Sequence, residues 1–212
     1  MNDQKRSVTE LGDPSRPHGE AGKEMLSGMN VRHAPVTEWA LSFFDLSSND
    51  RILDIGCGGG ETLHKLSEIL PTGTFTGVDH SELSVSMSSE RNRDAVLEGK
   101  MKLIHASVEA LPFSDASFDR IITVESFYFW PDPVENLKEV FRVLDQNGQF
   151  LIVADIHGGA DLSEEDMANI KKYGLFNPTP DEFEALLKNA GFSEVSIHTR
   201  PDKPWICAEA RK

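Results

Sequence analysis

The stretch Arg51-Ile52-Leu53-Asp54-Ile55-Gly56-Cys57-Gly58-Gly59-Gly60 constrains this chain more than any other part of it. An apolar run of strand length carries an acid, Asp54, at its end. A loop with Gly at the alternate positions 56, 58 and 60 follows, and a helical pattern resumes at Glu61. Glycine has no Cβ, so the main chain can turn tightly and a ligand can lie against it. Strand, glycine loop and helix, in that order, are the usual seat for a nucleoside-containing ligand.

The rest of the chain supports an α/β fold. Strands are predicted at 51–55, 74–79, 102–105, 119–124 and 149–154, with helical patterns between them at 61–70, 82–97 and 134–144. Strands that are nearly all apolar and alternate with helices imply a parallel sheet covered on both faces. Beyond Asp155, Ser163 opens a helix that Gly174 ends, and Thr179-Pro180-Asp181-Glu182 has the form of a capping box whose helix closes at Gly191. Two terminal strands, Glu194–His198 and Pro204–Glu209, are joined by the short turn Arg200-Pro201-Asp202-Lys203. Such a turn permits only an antiparallel pair. Residues 1–22 are polar and rich in Gly and Pro, and are expected to form a flexible tail. Residues 23–46 have helical periodicity, with Pro35 starting a second helix, and are expected to form a helical cap. Residues 47–212 then make up the ligand-binding domain.

Composition removes several classes of function. The formal charge of −14 opposes a sequence-independent grip on nucleic acid, which needs a surplus of Lys and Arg. The longest apolar runs fall far short of the roughly 20 residues of a membrane span, and the first residues lack the apolar core of a secretory signal. Cys57 and Cys207, the two cysteines, give neither a disulfide framework nor a metal spacing, so a cytoplasmic protein without a metal site is expected.

Two details choose the ligand. A dinucleotide fingerprint needs Gly where this chain has Glu61, and carboxylates at 54 and 61 would repel a diphosphate at the helix N-terminus. A ligand with a cationic group and an ammonium would instead be favoured by Asp54. S-adenosyl-L-methionine has that chemistry. The segment resembles the first motif of class I S-adenosylmethionine-dependent methyltransferases, whose D-x-G-x-G-x-G is matched by Asp54, Gly56, Gly58 and Gly60. The resemblance implies a doubly wound, mostly parallel seven-stranded sheet ending in an antiparallel hairpin.

Three more segments extend it. Asp79 ends a strand 23 residues beyond Gly56, near the spacing of about 20 at which an acid reaches a ribose diol; capping the helix that starts near Ser81 is its other reading. His80 beside it flanks the adenine or serves as a second candidate base. Ile104-His105-Ala106-Ser107-Val108-Glu109-Ala110-Leu111-Pro112-Phe113 is similar to the family's G-D-A-E-x-L-P-F, with Ser107 in place of the Asp that receives the adenine amino group. A hydroxyl still accepts a hydrogen bond but brings no charge; the Val108 amide is expected to serve the purine, with Glu109 alongside. Val124-Glu125-Ser126-Phe127-Tyr128-Phe129-Trp130-Pro131-Asp132-Pro133 resembles the loop between cofactor and acceptor. Tyr128 and Trp130 either line the acceptor pocket or form a packed lid, and Glu125 is a base, an anchor or a solvated acid.

The cap segment Gly28–Pro35 resembles that of small bacterial methyltransferases of unassigned substrate, which makes His33 a candidate general base. Cys57 lines the glycine loop and is not a nucleophile, because no His is placed beside it. The expected function is in-line methyl transfer to a small-molecule acceptor by a monomer or homodimer. The rivals are a silent S-adenosylmethionine-binding partner protein, a methyltransferase of protein or nucleic acid, and a nicotinamide-dependent oxidoreductase. The last lacks a Tyr-x-x-x-Lys pair, since Tyr128 and Tyr173 are followed at that spacing by Asp132 and Asn177.

Overall fold

A computed structural model of the protein describes residues 7–212. Five consecutive parallel strands come first: β1 (Arg51–Ile55), β2 (Thr74–Asp79), β3 (Met101–His105), β4 (Phe118–Val124) and β5 (Leu144–Ala154). Strands β6 (Glu194–Arg200) and β7 (Lys203–Arg211) complete one seven-stranded sheet in the order β3-β2-β1-β4-β5-β7-β6. β7 runs antiparallel to both β5 and β6. The winding direction reverses between β1 and β4, so the sheet's natural crevice opens beyond the carboxyl ends of these two strands.

Side chains alternate across the sheet and sort into two cores. Leu53, Ile121, Phe150 and Ile152 face α6 (Pro133–Val143) and α8 (Pro180–Ala190), which contribute Leu137, Val140, Phe183 and Leu187. Ile52, Ile122, Leu151 and Val153 face α2 (Gly19–Leu41) and α3 (Glu61–Ile69), which contribute Val36, Ala40, Leu63 and Leu66. Both faces are therefore dry, which is why these strands read as unbroken apolar runs. The expected caps form as well: Ser163 and Thr179 each complete a capping box, at α7 (Glu164–Tyr173) and α8, and Gly174 and Gly191 close those helices in the left-handed conformation.

Three expectations need correction. The first concerns residues 1–22. Residues 1–6 lie outside the described part, but residues 7–22 are folded: Ser7 caps a short helix α1 (Val8–Gly12), and α2 begins at Gly19. Gly12 and Gly22 permit this packing, because a Cβ on either would come within 2.9 Å of Ala21 O or Leu83 Cδ2 respectively. The Ser81 hydroxyl donates to Pro17 O at 2.6 Å and pins the connection.

The second concerns Pro35, which does not start a new helix. α2 runs through it, because Pro35 is exposed while Val36, Thr37 and Ala40 are held against the sheet; apolar burial outweighs the one hydrogen bond that Pro forgoes. The third concerns the helix over 82–97. It divides at Asn92 into α4 (Glu82–Arg91) and α5 (Arg93–Leu97), where the Asn92 amide donates to Gly60 O and Ser88 O, both at 3.0 Å. That side chain ties α4 to the glycine loop.

Leu151 has no exposed surface and faces α2 and α3. Leu151→Ala is expected to lower unfolding free energy by about 2–5 kcal/mol, measured by urea denaturation.

Candidate functional site

A deep cleft lies at the carboxyl ends of β1, β2 and β4, roofed by α2 and by the Pro14–Pro17 segment. Its floor is the glycine loop. Gly56 and Cys57 both donate their N–H to Val78 O, at 2.8 and 3.1 Å, which folds the loop back over β2. Gly56, Gly58 and Gly60 have φ of +73°, +50° and +80°, a region that costs any other residue here steric strain. At Gly56 a Cβ would also stand 2.4 Å from Ser126 Oγ, and at Gly60 2.4 Å from Ser88 Oγ.

Two carboxylates sit beneath this loop. Asp79 accepts from Gly58 N at 3.0 Å through Oδ2 and from Ser81 N at 2.8 Å through Oδ1. It thus ties the glycine loop to the start of α4, whose cap is the Ser81 hydroxyl accepting from Ser84 N at 3.2 Å. Its pKa is raised by burial, opposed by the hydrogen bonds from Ser81 and Gly58. Asp54 is 1% exposed, and its Oδ1 has no hydrogen-bond partner. Burial, followed by the charge of Asp79, pushes its pKa up to about 8. A buried carboxyl oxygen without a donor is costly in an otherwise closed protein. A cationic, hydrogen-bond-donating ligand resolves that cost, and the bare glycine floor leaves it room.

The cleft gathers most of the residues singled out from the sequence. Asp54, Gly56, Cys57, Gly58, Asp79, His80, Ser107, Val108, Glu109, Val124, His33 and Glu125 all line it. Gly60 does not; it caps α3 and packs on α4. Cys57 is buried, and burial drives its thiol pKa up, so it is inert as a nucleophile. Ser107 does not stand alone in place of an acid, because its hydroxyl donates to Glu109 Oε2 at 3.0 Å. The pair returns a carboxylate to that edge of the cleft. Glu61 is held by Arg91, with Oε2 2.8 Å from Nη2. Its charge is largely answered there, so Glu61 contributes less to repelling a diphosphate than its place in the sequence implies.

The three candidate catalytic residues meet at one carboxylate. Tyr128 donates to Glu125 Oε2 at 2.8 Å, and His33 Nε2 lies 3.9 Å from the same oxygen. Glu125 is 6% exposed, which excludes the solvated-acid reading, and it is held at φ +54° in the left-handed region. That backbone costs about 1–3 kcal/mol and turns its side chain inward. Burial, then Asp155, raises the Glu125 pKa well above the ordinary carboxylate range. Burial, then Arg32, pushes His33 down to about 3, so its imidazole is neutral. The Nε2 atom already accepts from Arg32 Nε at 3.3 Å; a proton acceptor at that nitrogen would first have to release Arg32.

Of the four aromatics after β4, Phe127 is core, packed on Trp130 and Phe183. Phe129 and Trp130 line the main cleft and also a second one beside it, together with Tyr128, Tyr173, Phe176 and Leu186. Among the wall residues that the sequence did not signal, Asn30 reaches across from α2 to donate to Gly59 O at 3.4 Å. Ser15, Met29 and Thr37 join it. Met29 and Asn30 fall in the Gly28–Pro35 segment, where the resemblance singled out His33 alone; Thr37 had only the helical periodicity of the cap, and Ser15 lies in the stretch read as a tail.

Comparison with known proteins gives the family. A family profile described as "Methyltransferase domain" matches residues 53–152. The chain is 30% identical over 186 residues to 27-O-demethylrifamycin SV methyltransferase of Amycolatopsis mediterranei, covering 83% of this chain and 67% of that protein. It is 31% identical over 207 residues to methyltransferase GfsG of Streptomyces halstedii, covering 92% and 69%. The crystal structure of a SAM-dependent methyltransferase from Aquifex aeolicus superposes with a TM-score of 0.68 at 20% identity, covering 96% of this chain and 95% of that one. The chain belongs to the class I S-adenosylmethionine-dependent methyltransferases. S-adenosyl-L-methionine is its methyl donor.

Two outcomes follow from the loop and its acids. Gly56→Ala introduces both backbone strain and the clash with Ser126, and is expected to destabilise the protein by about 1–3 kcal/mol in urea denaturation. For Asp54, the folded value of about 8 lies above the ordinary 3.8. Between these pH values the folded ligand-free protein holds a proton that the unfolded chain releases. Stability from this group is therefore lost as pH rises from about 4 to about 8. Asp54→Asn removes that dependence, so its melting temperature relative to the parent should increase from pH 5 to pH 8.5. An unchanged difference would show that Asp54 ionises freely.

Proposed function

We propose that this protein methylates a small, predominantly apolar acceptor with an aromatic or otherwise planar face. The observation that carries this reading is the second cleft: Tyr128, Phe129, Trp130, Tyr173, Phe176 and Leu186 line it, no charged side chain does, and it shares Phe129, Trp130 and Pro131 with the main cleft. Aromatic walls favour flat apolar ligands. The rifamycin relative supports it, since by its name it acts on a small molecule, 27-O-demethylrifamycin SV.

Residue roles follow from position. Asp79, which keeps lone pairs beyond its two backbone contacts, would bind the ribose diol; His80, Ser107, Val108 and Glu109 would border the adenine. Gly56, Cys57 and Gly58 would lie against the methionine portion, with Asp54 answering its ammonium. Val124 would pack beneath the same ligand, and Gly60 would act only by shaping the loop. The bound cofactor supplies an electrophilic methyl on a sulfonium. The protein's own part is to align the acceptor, exclude water and keep the methyl and nucleophile in line. His33, Glu125 and Tyr128 would face the acceptor's reacting atom from the floor between the two clefts.

No described helix is long and apolar enough to cross a membrane. The charge of −14 supports an acceptor other than nucleic acid, and two buried free thiols support a reducing cytoplasmic setting. A monomer or homodimer suffices, because both clefts are built from one chain.

The test combines binding with turnover. Asp79→Ala is expected to weaken S-adenosylhomocysteine by about 1–3 kcal/mol in isothermal titration. Given labelled S-adenosylmethionine and a panel of phenols, hydroquinones and polyketide alcohols, the parent protein should transfer label to at least one. Trp130→Phe should raise KM for that acceptor more than it lowers kcat. Transfer to peptide or nucleic acid alone would overturn the reading.

A further inference from the structure

Three donor side chains from distant parts of the chain meet beside the cleft. His33 on α2, Glu125 after β4 and Asp155 after β5 each offer one ligating atom, and these atoms all lie within 4.8 Å of one another. Atoms bound to one divalent transition-metal ion at about 2.0–2.2 Å are at most about 4.4 Å apart, so small side-chain torsions close the set. No sequence spacing announces it, because the donors come from positions 33, 125 and 155.

Neither carboxyl group of the cluster has a basic side chain in direct ion-pair contact among the described residues, His33 apart. Glu125 is buried and Asp155 is half-buried. Among the described residues, no Lys or Arg nitrogen forms an ion pair with either carboxylate; the single partner is His33, 3.9 Å from Glu125 Oε2. The nearby guanidinium of Arg32, on an exposed residue, hydrogen-bonds His33 Nε2 and makes no direct ion pair with either carboxylate. Carboxylates withdrawn from water require a cation or a proton. Glu125 is meanwhile fixed from both sides, by the Tyr128 hydroxyl on Oε2 and the Asp155 N–H on Oε1. Outer contacts of this kind orient a ligating carboxylate.

We propose that His33, Glu125 and Asp155 bind one divalent cation of the manganese, cobalt or zinc type, its open positions facing the acceptor end of the cleft. One imidazole and two carboxylates suit that group of ions. The ion displaces the Arg32 N–H from His33 and leaves coordination positions for oxygen. This rests on the methyltransferase reading only for the occupant of those positions: an acceptor hydroxyl, with or without a neighbouring oxygen. Coordination would lower the hydroxyl's pKa; its proton passes to water, the oxygen's electron pair forms the new bond to methyl, and the S–CH3 bond breaks with its pair going to sulfur, so that S-adenosylhomocysteine leaves.

The probe is Co2+ added to chelator-treated protein, followed by visible absorption. One equivalent should bind with d–d bands, and Asp155→Asn and Glu125→Gln should each weaken it at least about tenfold. S-adenosylhomocysteine titration should give the same affinity in Asp155→Asn as in the parent, which shows that the variant is folded. Should Asp155→Asn not fold, His33→Gln carries the same comparison. The absence of a saturable Co2+ site, or equal affinity in the variants, overturns the proposal and assigns the carboxyl pair a shared proton. A parent protein that binds S-adenosylhomocysteine but shows no saturable Co2+ site would sink the metal site alone, whereas one that binds neither would sink the methyl-donor reading too.

Discussion

The carbonyl of Val78 is the hinge of this molecule. It receives the N–H groups of Gly56 and Cys57 together, so the chain leaving β1 doubles back over the end of β2. Only residues without a Cβ can follow that path at Gly56, where the nearest atom of Ser126 leaves no space. The fold-back brings Gly58 N to Asp79 and leaves Asp54 sealed below with an oxygen unpaired. The sheet provides the frame, but this one turn decides that the crevice between β1 and β4 becomes a site for a cation-bearing ligand.

Around that turn the electrostatics are graded. At the cofactor end, burial and the charge of Asp79 raise the pKa of Asp54, and Glu61 is paired with Arg91. Beyond the loop, Glu125 and Asp155 are a second pair of withdrawn carboxyl groups, beside His33. Between them the wall is aromatic. Buried carboxyl groups thus stand at both ends with aromatic side chains between them, and the end beside the glycine loop suits a sulfonium donor.

The N-terminal part shows how packing overrules local signals. Residues 7–22 carry glycines and prolines that read as a tail, yet Gly12 and Gly22 are there to let α1 and α2 approach each other and α4. Pro35 reads as a helix start, yet α2 passes through it because its buried face is anchored on both sides. The same helix then delivers Asn30 to the glycine loop and His33 to Glu125. Cap and site are one construction.

The sequence by itself determined the sheet, the glycine loop, the paired acids at the ends of β1 and β2, and the family. Those features are local: a strand needs a short apolar run, a tight loop needs glycine, and an acid at a strand end needs no distant partner to be recognised. Tertiary structure alone decided which charges remain free. Arg91 silences Glu61, Glu109 completes Ser107, and Asp155 joins His33 and Glu125 only because β4 and β5 lie side by side. Charge is a property of neighbours in space, and no spacing along the chain records which neighbours those will be.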